Sequence, residues 1–168
     1  MRAGFASEVN VDPAATPLHF PPIVSRYKDR KRSANVLLVG HHTAMDTESK
    51  SKSRLPIEGG LLAAQDVLEN VLDFTISQLG LSAENSGSVE RPIVMTEPLC
   101  NPGYCRGLTS KLLFEAYGVP AVAYGIDSLF AAYYNGITDN SLVVSSGQSS
   151  TTIVPMVKGK GILTNAKR

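Results

Sequence analysis

Across residues 91–135 the apolar positions switch between the periods of strand and helix, with hardly a residue left for connections. Residues 91–97 read as a strand that ends on an exposed Glu-Pro pair. Asn101 and Pro102 form a helix start, with Asn in the capping position and Pro at the first helical residue. Leu108, Leu112, Leu113, Ala116 and Tyr117 then follow helical spacing, and Gly118 suits the left-handed closing position. Residues 119–126 read as a buried strand, and Asp127 opens and caps a further helix. This alternation predicts an α/β layer with parallel neighbours.

The flanking segments extend the pattern. Residues 2–6 and 21–27 read as strands separated by a Pro/Ala/Thr loop over 10–17. The proline pair opening the second strand is tolerated where no ladder donor is yet needed. Residues 28–55 are the least regular stretch. Leu61, Leu68, Val71, Leu72, Thr75, Ile76 and Leu79 repeat at helical spacing, and Gly80 ends that helix. A polar loop spans 82–90. Beyond Gly136, residues 142–145 and 151–157 read as strands, with a turn at Ser146, Gly147 and Gln148. A second turn covers 158–161, and Ile162 and Leu163 start a third strand.

Composition narrows the picture. The chain has 168 residues, 43% hydrophobic and 18% charged, enough for one ordered globular domain. A net charge of +1 gives no overall drive toward nucleic acid or membrane. No run reaches about 18 apolar residues, and the first residues lack the apolar core of a secretory leader. Cys100 and Cys105 are too few for a zinc framework and read as reduced, buried or half-buried thiols in an intracellular protein.

The candidate chemistry is sparse. His41 and His42 have no third metal ligand nearby in sequence and read as a solvated loop. The basic runs at 28–32 and 50–54 read as solvated loops, with nuclear import or phosphate contact as the functional alternative for the first. Glu97 and Glu115 fall on different elements and read as surface or packing-edge carboxylates. The strands at 142–145 and 151–157, joined by a Gly-containing turn, can present several N–H groups to an anion.

Several strings carry a family resemblance: T-E-x-x-x-N-P at 96–102, LLFEAYGVPAVAYG at 112–125, the Tyr-x-x-Gly end of the next helix, RAGFA at 2–6, FPPIVSR at 20–26 and PIEG at 56–59. Together, in order along nearly the whole chain, they resemble the actin superfamily. The resemblance implies an α/β fold: an actin-like, ribonuclease H-like first domain over 1–136 with a mixed sheet and flanking helices. A small insertion occupies about 28–55, and 137–168 begin the second domain. It further implies that the chain is truncated at both ends, lacking the first strand and phosphate hairpin and most of the second domain. The missing strand is interior in the family's sheet, so the chain is expected to be marginal alone unless strand 142–146 fills the vacancy. YGIDSLF at 124–130 and VVSSG at 143–147 are most similar to a nuclear branch whose members serve an Ino-type chromatin remodeller.

What the resemblance implies about the site comes from matched positions. The family binds ATP with magnesium between its two domains, and its second phosphate loop matches Ser145, Ser146, Gly147 and Gln148. Ser145 and Gln148 stand where actin has carboxylates, Asp127 where it has the water-positioning Gln, and Thr152 where it has the assisting His. Magnesium prefers near-octahedral oxygen ligands and keeps several waters, so one or two carboxylates usually suffice. An Asp127 carboxylate at about 4 Å from a phosphate charge would repel it by about 4 kcal/mol at an effective dielectric of about 20. The implied protein is a non-catalytic nuclear subunit, with no certain cofactor and ATP as the full-length family's nucleotide. Its implied partners are remodeller subunits and, through them, nucleosomes and DNA, with no membrane and no polymerisation. A working actin-type ATPase and a polymerising cytoskeletal relative are the competing readings.

Overall fold

The computed structural model describes residues 1–6, 17–29, 33–45, 47–81, 88–147 and 149–168. Contacts divide the chain into two compact units, residues 1–56 with 63–87, and residues 57–62 with 88–168. This is a division by contacts, distinct from the family boundary expected at 136/137.

The first unit is built on antiparallel strands. β1 (Arg2–Ala3) pairs with β2 (Leu18–His19), so the strand expected over 2–6 is shorter, and the one expected over 21–27 starts only at Val24. β3 (Val24–Asp29) runs antiparallel to β4 (Ala34–Val39) and to β5 (Ser53–Arg54), giving the order β4-β3-β5. A 3-10 turn over Gly40–Ala44 and a short helix α1 (Thr47–Ser51) connect β4 to β5. Residues 28–55 are therefore largely regular, because the apolar VLLV run at 36–39 has β3 to pair with. The residues expected to form the 10–17 and 82–90 loops lie mostly outside the described residues, as do 30–32.

Helix α2 (Gln65–Gln78) packs against β3 and β4. It starts four residues later than the apolar spacing suggests, because the chain first forms a separate hairpin in the second unit. Gly80 takes the expected left-handed conformation, with φ 69°. The core joins Phe20, Val24, Val39, Val67 and Val71, with Phe20 and Phe74 edge to face at 4.9 Å.

The second unit contains the hairpin β6 (Ile57–Glu58) and β7 (Leu61–Leu62), turned by Gly59 and Gly60 with φ of 57° and 78°. β8 (Ile93–Glu97) and β9 (Val122–Ile126) are parallel neighbours, as the alternating pattern predicts. The crossover between them is α3 (Gly103–Lys111), which widens into a π turn over Leu112–Ala116 and ends at Gly118, φ 59°. Asn101 does not cap α3: Pro102 occupies the cap position, and the Asn101 amide turns back to Glu97. β9 begins at Val122 rather than 119 and is only half-buried.

Helix α4 (Asp127–Tyr134) packs on β8, β9, β10 (Ser141–Ser146) and β11 (Thr151–Val157). It buries its small residues, Ser128 and Ala132. Phe130, Tyr133, Tyr134 and Ile137, at helical spacing, are exposed. β12 (Lys160–Gly161) closes the sheet β10-β11-β12 through a two-residue turn, so the third strand lies just before the expected 162–163. Leu163–Asn165 form a 3-10 turn instead.

Among the described residues β10 hydrogen-bonds as a ladder to β11 alone, and β8 to β9 alone. The idea that strand 142–146 fills a place in the first sheet is thereby rejected. Antiparallel β11 satisfies one edge of β10, and the apolar partners Val143 and Val154 fix that register. No described helix is long and apolar enough to cross a membrane.

Candidate functional site

The hairpin β10–β11 sets the geometry of the expected phosphate loop. Ser145 lies opposite Thr152, and Ser146 opposite Thr151. Alternation along a strand sends adjacent side chains to opposite faces. Ser145 therefore shares a face with buried Thr152, Val154 and Met156, while Ser146 shares the other with exposed Val144 and Ile153. The Ser146 and Thr151 hydroxyls lie 3.0 Å apart across the strands. The Gly147 N–H donates to the Ser150 carbonyl at 3.0 Å, so the turn itself uses that donor. Gln148, the fourth expected residue, lies outside the described residues.

Asp127 sits where β9 becomes α4. It is the first helical residue rather than the cap, which is Ile126. Its carboxylate accepts the Ser128 N–H at 2.6 Å, satisfying one of the donors left open at a helix start. The structure thus groups Ser145, Ser146 and Gly147 at one end of a hairpin, and gives Asp127 the local helix-start role that its sequence position suggested.

A second constellation escaped the sequence reading. Glu97, at the end of β8, is only 8% exposed, not a surface carboxylate. Arg106, one turn into α3, grips it with two nitrogens: Nε donates at 3.0 Å to Oε2, and the terminal Nη2 donates to Oε1. Asn101 Nδ2 adds a third bond to Oε2 at 2.9 Å. The hydrogen bonds from Arg106 hold the Glu97 carboxyl below the usual carboxylate range, despite burial that pushes the other way. Glu97 in turn raises the Arg106 guanidinium. That guanidinium lies 5.7 Å from the Tyr124 ring centroid, and the Tyr124 hydroxyl is 2.8 Å from Ser110 Oγ. A buried carboxylate held by hydrogen bonds from Arg106 and Asn101 ties the end of β8 to the start of α3. The available signal was Arg106 nine residues after Glu97, too long a separation for helical or strand periodicity to reveal.

The remaining candidates fall elsewhere. His42 lies in the 3-10 turn after β4, edge to face with Phe74 at 6.5 Å, rather than in a loop. Arg54 pairs with Asp66, and Lys52 with Glu48. Cys105 is buried, but Cys100 is exposed, with φ 59°. Glu115 is a surface carboxylate 3.9 Å from Lys111. Residues 30–32 of the first basic run lie outside the described residues.

Comparison with known proteins identifies the scaffold. The actin family model matches residues 1–168, the whole chain. This chain belongs to the actin family. Among curated members it is 42% identical to actin-like protein arp5 of Schizosaccharomyces pombe, over its full length and 22% of that protein. It is 39% identical to actin-related protein 5 of Saccharomyces cerevisiae, again over the full chain and 22% of the relative. Against human actin-related protein 5 the identity is 37%, over the full chain and 28% of the relative. The chain therefore spans about a quarter of the length of these actin-family relatives. Both the family and the mixed α/β architecture agree with the resemblance carried by 96–102 and 112–125.

Proposed function

We propose that this chain is part of a non-catalytic actin-related subunit of a nuclear chromatin-remodelling complex, acting in nucleosome remodelling, transcription regulation and DNA repair. The observation that carries this reading is similarity to fungal and human actin-related protein 5 along the whole chain. The partners proposed are the other subunits of the remodeller, with nucleosomal DNA reached through them. Membrane attachment and filament formation form no part of the role.

The hairpin supports the non-catalytic half of the proposal. Ser145, Ser146 and Gly147 supply no carboxylate for magnesium, and the two serines address opposite faces. The Gly147 donor is engaged by Ser150. Asp127 brings negative charge to the position where the family uses a neutral amide. The absence of a carboxylate at 145, 146 and 147 favours a subunit that does not turn over a magnesium–nucleotide complex.

Titration calorimetry with ATP and magnesium tests this, on the 168-residue chain and on a version carrying the family's N-terminal strand. Neither is expected to bind with a Kd below about 1 mM. Tight binding by either would overturn the reading of this hairpin as unfit for nucleotide, and ATP hydrolysis by either would reject the non-catalytic reading. Affinity capture of the full-length protein from nuclei, followed by mass spectrometry, tests the complex. The remodeller's motor subunit is the expected co-purifying protein.

A further inference from the structure

Asn135 and Gly136 close α4, and the proposed role makes no use of them. They are the only Asn-Gly pair in the sequence. Asparagine is chemically labile, and a glycine that follows it has no Cβ to hinder attack by its own amide nitrogen. Both residues are exposed, so water reaches them.

The fold sets this pair in a Schellman cap. Gly136 has φ 69°, the left-handed conformation that such a cap asks of the residue just after the helix. Its N–H donates to the Tyr133 carbonyl at 3.0 Å, and the Ile137 N–H donates to the Ala132 carbonyl at 3.1 Å. Asn135 Nδ2 donates to the Ala131 carbonyl at 2.7 Å. The nucleophile of a cyclisation and its leaving group are thus both tied to the last turn of α4. Asn135 has ψ 10°. Ring closure requires rotation about that bond, which swings the Gly136 nitrogen toward the Asn135 side chain and breaks its bond to Tyr133. The Tyr133 hydroxyl donates to the Gly159 carbonyl at 3.0 Å and pins this turn to the β11–β12 connection. Reaction therefore waits for the end of α4 to open, and helix ends are among the places where opening costs least.

We propose that Asn135 is a site of spontaneous deamidation, with water as co-reactant, gated by opening of the α4 C-terminus. In the open state the Gly136 nitrogen gives its proton to solvent base and attacks Asn135 Cγ. A bond forms between that nitrogen and Cγ, the Cγ–Nδ2 bond breaks, and Nδ2 leaves as ammonia after taking a proton from solvent. Water then opens the succinimide at one carbonyl to give aspartate, or at the other to give isoaspartate. Once ionised, neither product has a side-chain N–H for the Ala131 carbonyl, and each sets a negative charge at the carbonyl end of the helix dipole. Isoaspartate also adds a methylene to the main chain. The cap does not re-form, so the change is a permanent record of opening in the turn that carries exposed Tyr133 and Tyr134.

The test incubates the 168-residue chain at mildly alkaline pH, folded and in guanidinium chloride. Peptide mapping by mass spectrometry follows the conversion of amide to acid at each asparagine. Isoaspartate is counted by methyl transfer from labelled S-adenosylmethionine with isoaspartyl methyltransferase. In denaturant Asn135 should convert faster than any other asparagine. In the folded chain it should convert measurably, but at least about tenfold more slowly, as a local opening step requires. Tyr133→Phe, which removes only the bond to Gly159, should speed conversion in the folded chain about twofold to tenfold and leave the rate in denaturant unchanged. The folded, converted chain should show faster hydrogen exchange at the Gly136 and Ile137 amides. The proposal is overturned by equal rates with and without denaturant, or by no conversion of the folded chain. It is also overturned if another asparagine reacts faster in denaturant, if Tyr133→Phe leaves the folded rate unchanged, or if conversion leaves those two amides equally protected.

Discussion

Glu97 shows how one buried carboxylate can organise its neighbourhood. Arg106 holds its folded pKa below the ordinary value of 4.5, so the ionised form is favoured in the fold. The stability this confers is complete above the ordinary, unfolded value and is lost as pH falls through the depressed folded one. Glu97→Gln should therefore lower the melting temperature at pH 7 and flatten its fall between pH 5 and the acid limb (about the carboxylate range). Parallel melting curves for the two proteins across that window would reject the tie. Gly159 offers a second residue-scale prediction. It has φ 71°, and a Cβ there would lie 2.9 Å from the Thr138 carbonyl oxygen. Gly159→Ala should cost about 1–2 kcal/mol from backbone strain alone, read by urea denaturation. The glycines at 80 and 118 were legible in sequence because each ends a periodic run. The Glu97–Arg106 pair was not, because its partners meet only after β8, a turn and α3 are in place.

At the scale of elements, helices and strands with a clear period were legible: α2, α3, α4, β10 and β11. The early strands were misplaced because short antiparallel pairs such as β1–β2 leave little periodic pattern. α2 was started too early because Leu61 continues its apolar spacing while belonging to β7. The hairpin of β10 and β11 was legible, with Ser146 in the strand rather than in the turn, but the opposite facing of Ser145 and Ser146 follows only from the observed register. Leu113 anchors α3 where it widens into the π turn; it is fully buried, and its carbonyl accepts the Val119 N–H at 3.1 Å. Leu113→Ala should destabilise the chain by about 2–5 kcal/mol, again by urea denaturation. A loss well under 1 kcal/mol would show that the site collapses around the smaller side chain.

At the scale of the molecule, the family was legible from strings spread along the chain, whereas the two contact units were not. The chain leaves the first unit at Pro56 and returns at Ala63. Within the second unit the Arg168 guanidinium donates to the Gly59 carbonyl at 2.6 Å and to the Leu99 carbonyl at 3.2 Å. Sequence could not foresee that reach across 109 residues. Arg168→Ala should speed amide exchange in the 57–62 hairpin by roughly tenfold, the effect of losing one charged hydrogen bond. Unchanged exchange would mean that the β6–β7 turn holds itself. The outward aromatic face of α4 has a colloidal consequence. A net charge of +1 supplies almost no repulsion between molecules, so Phe130, Tyr133 and Tyr134 can attract one another across them. The second virial coefficient should therefore be negative near neutral pH and rise as the carboxylates are protonated toward pH 5. Tyr134, 89% exposed, is the position where a change to lysine should raise solubility without touching the fold.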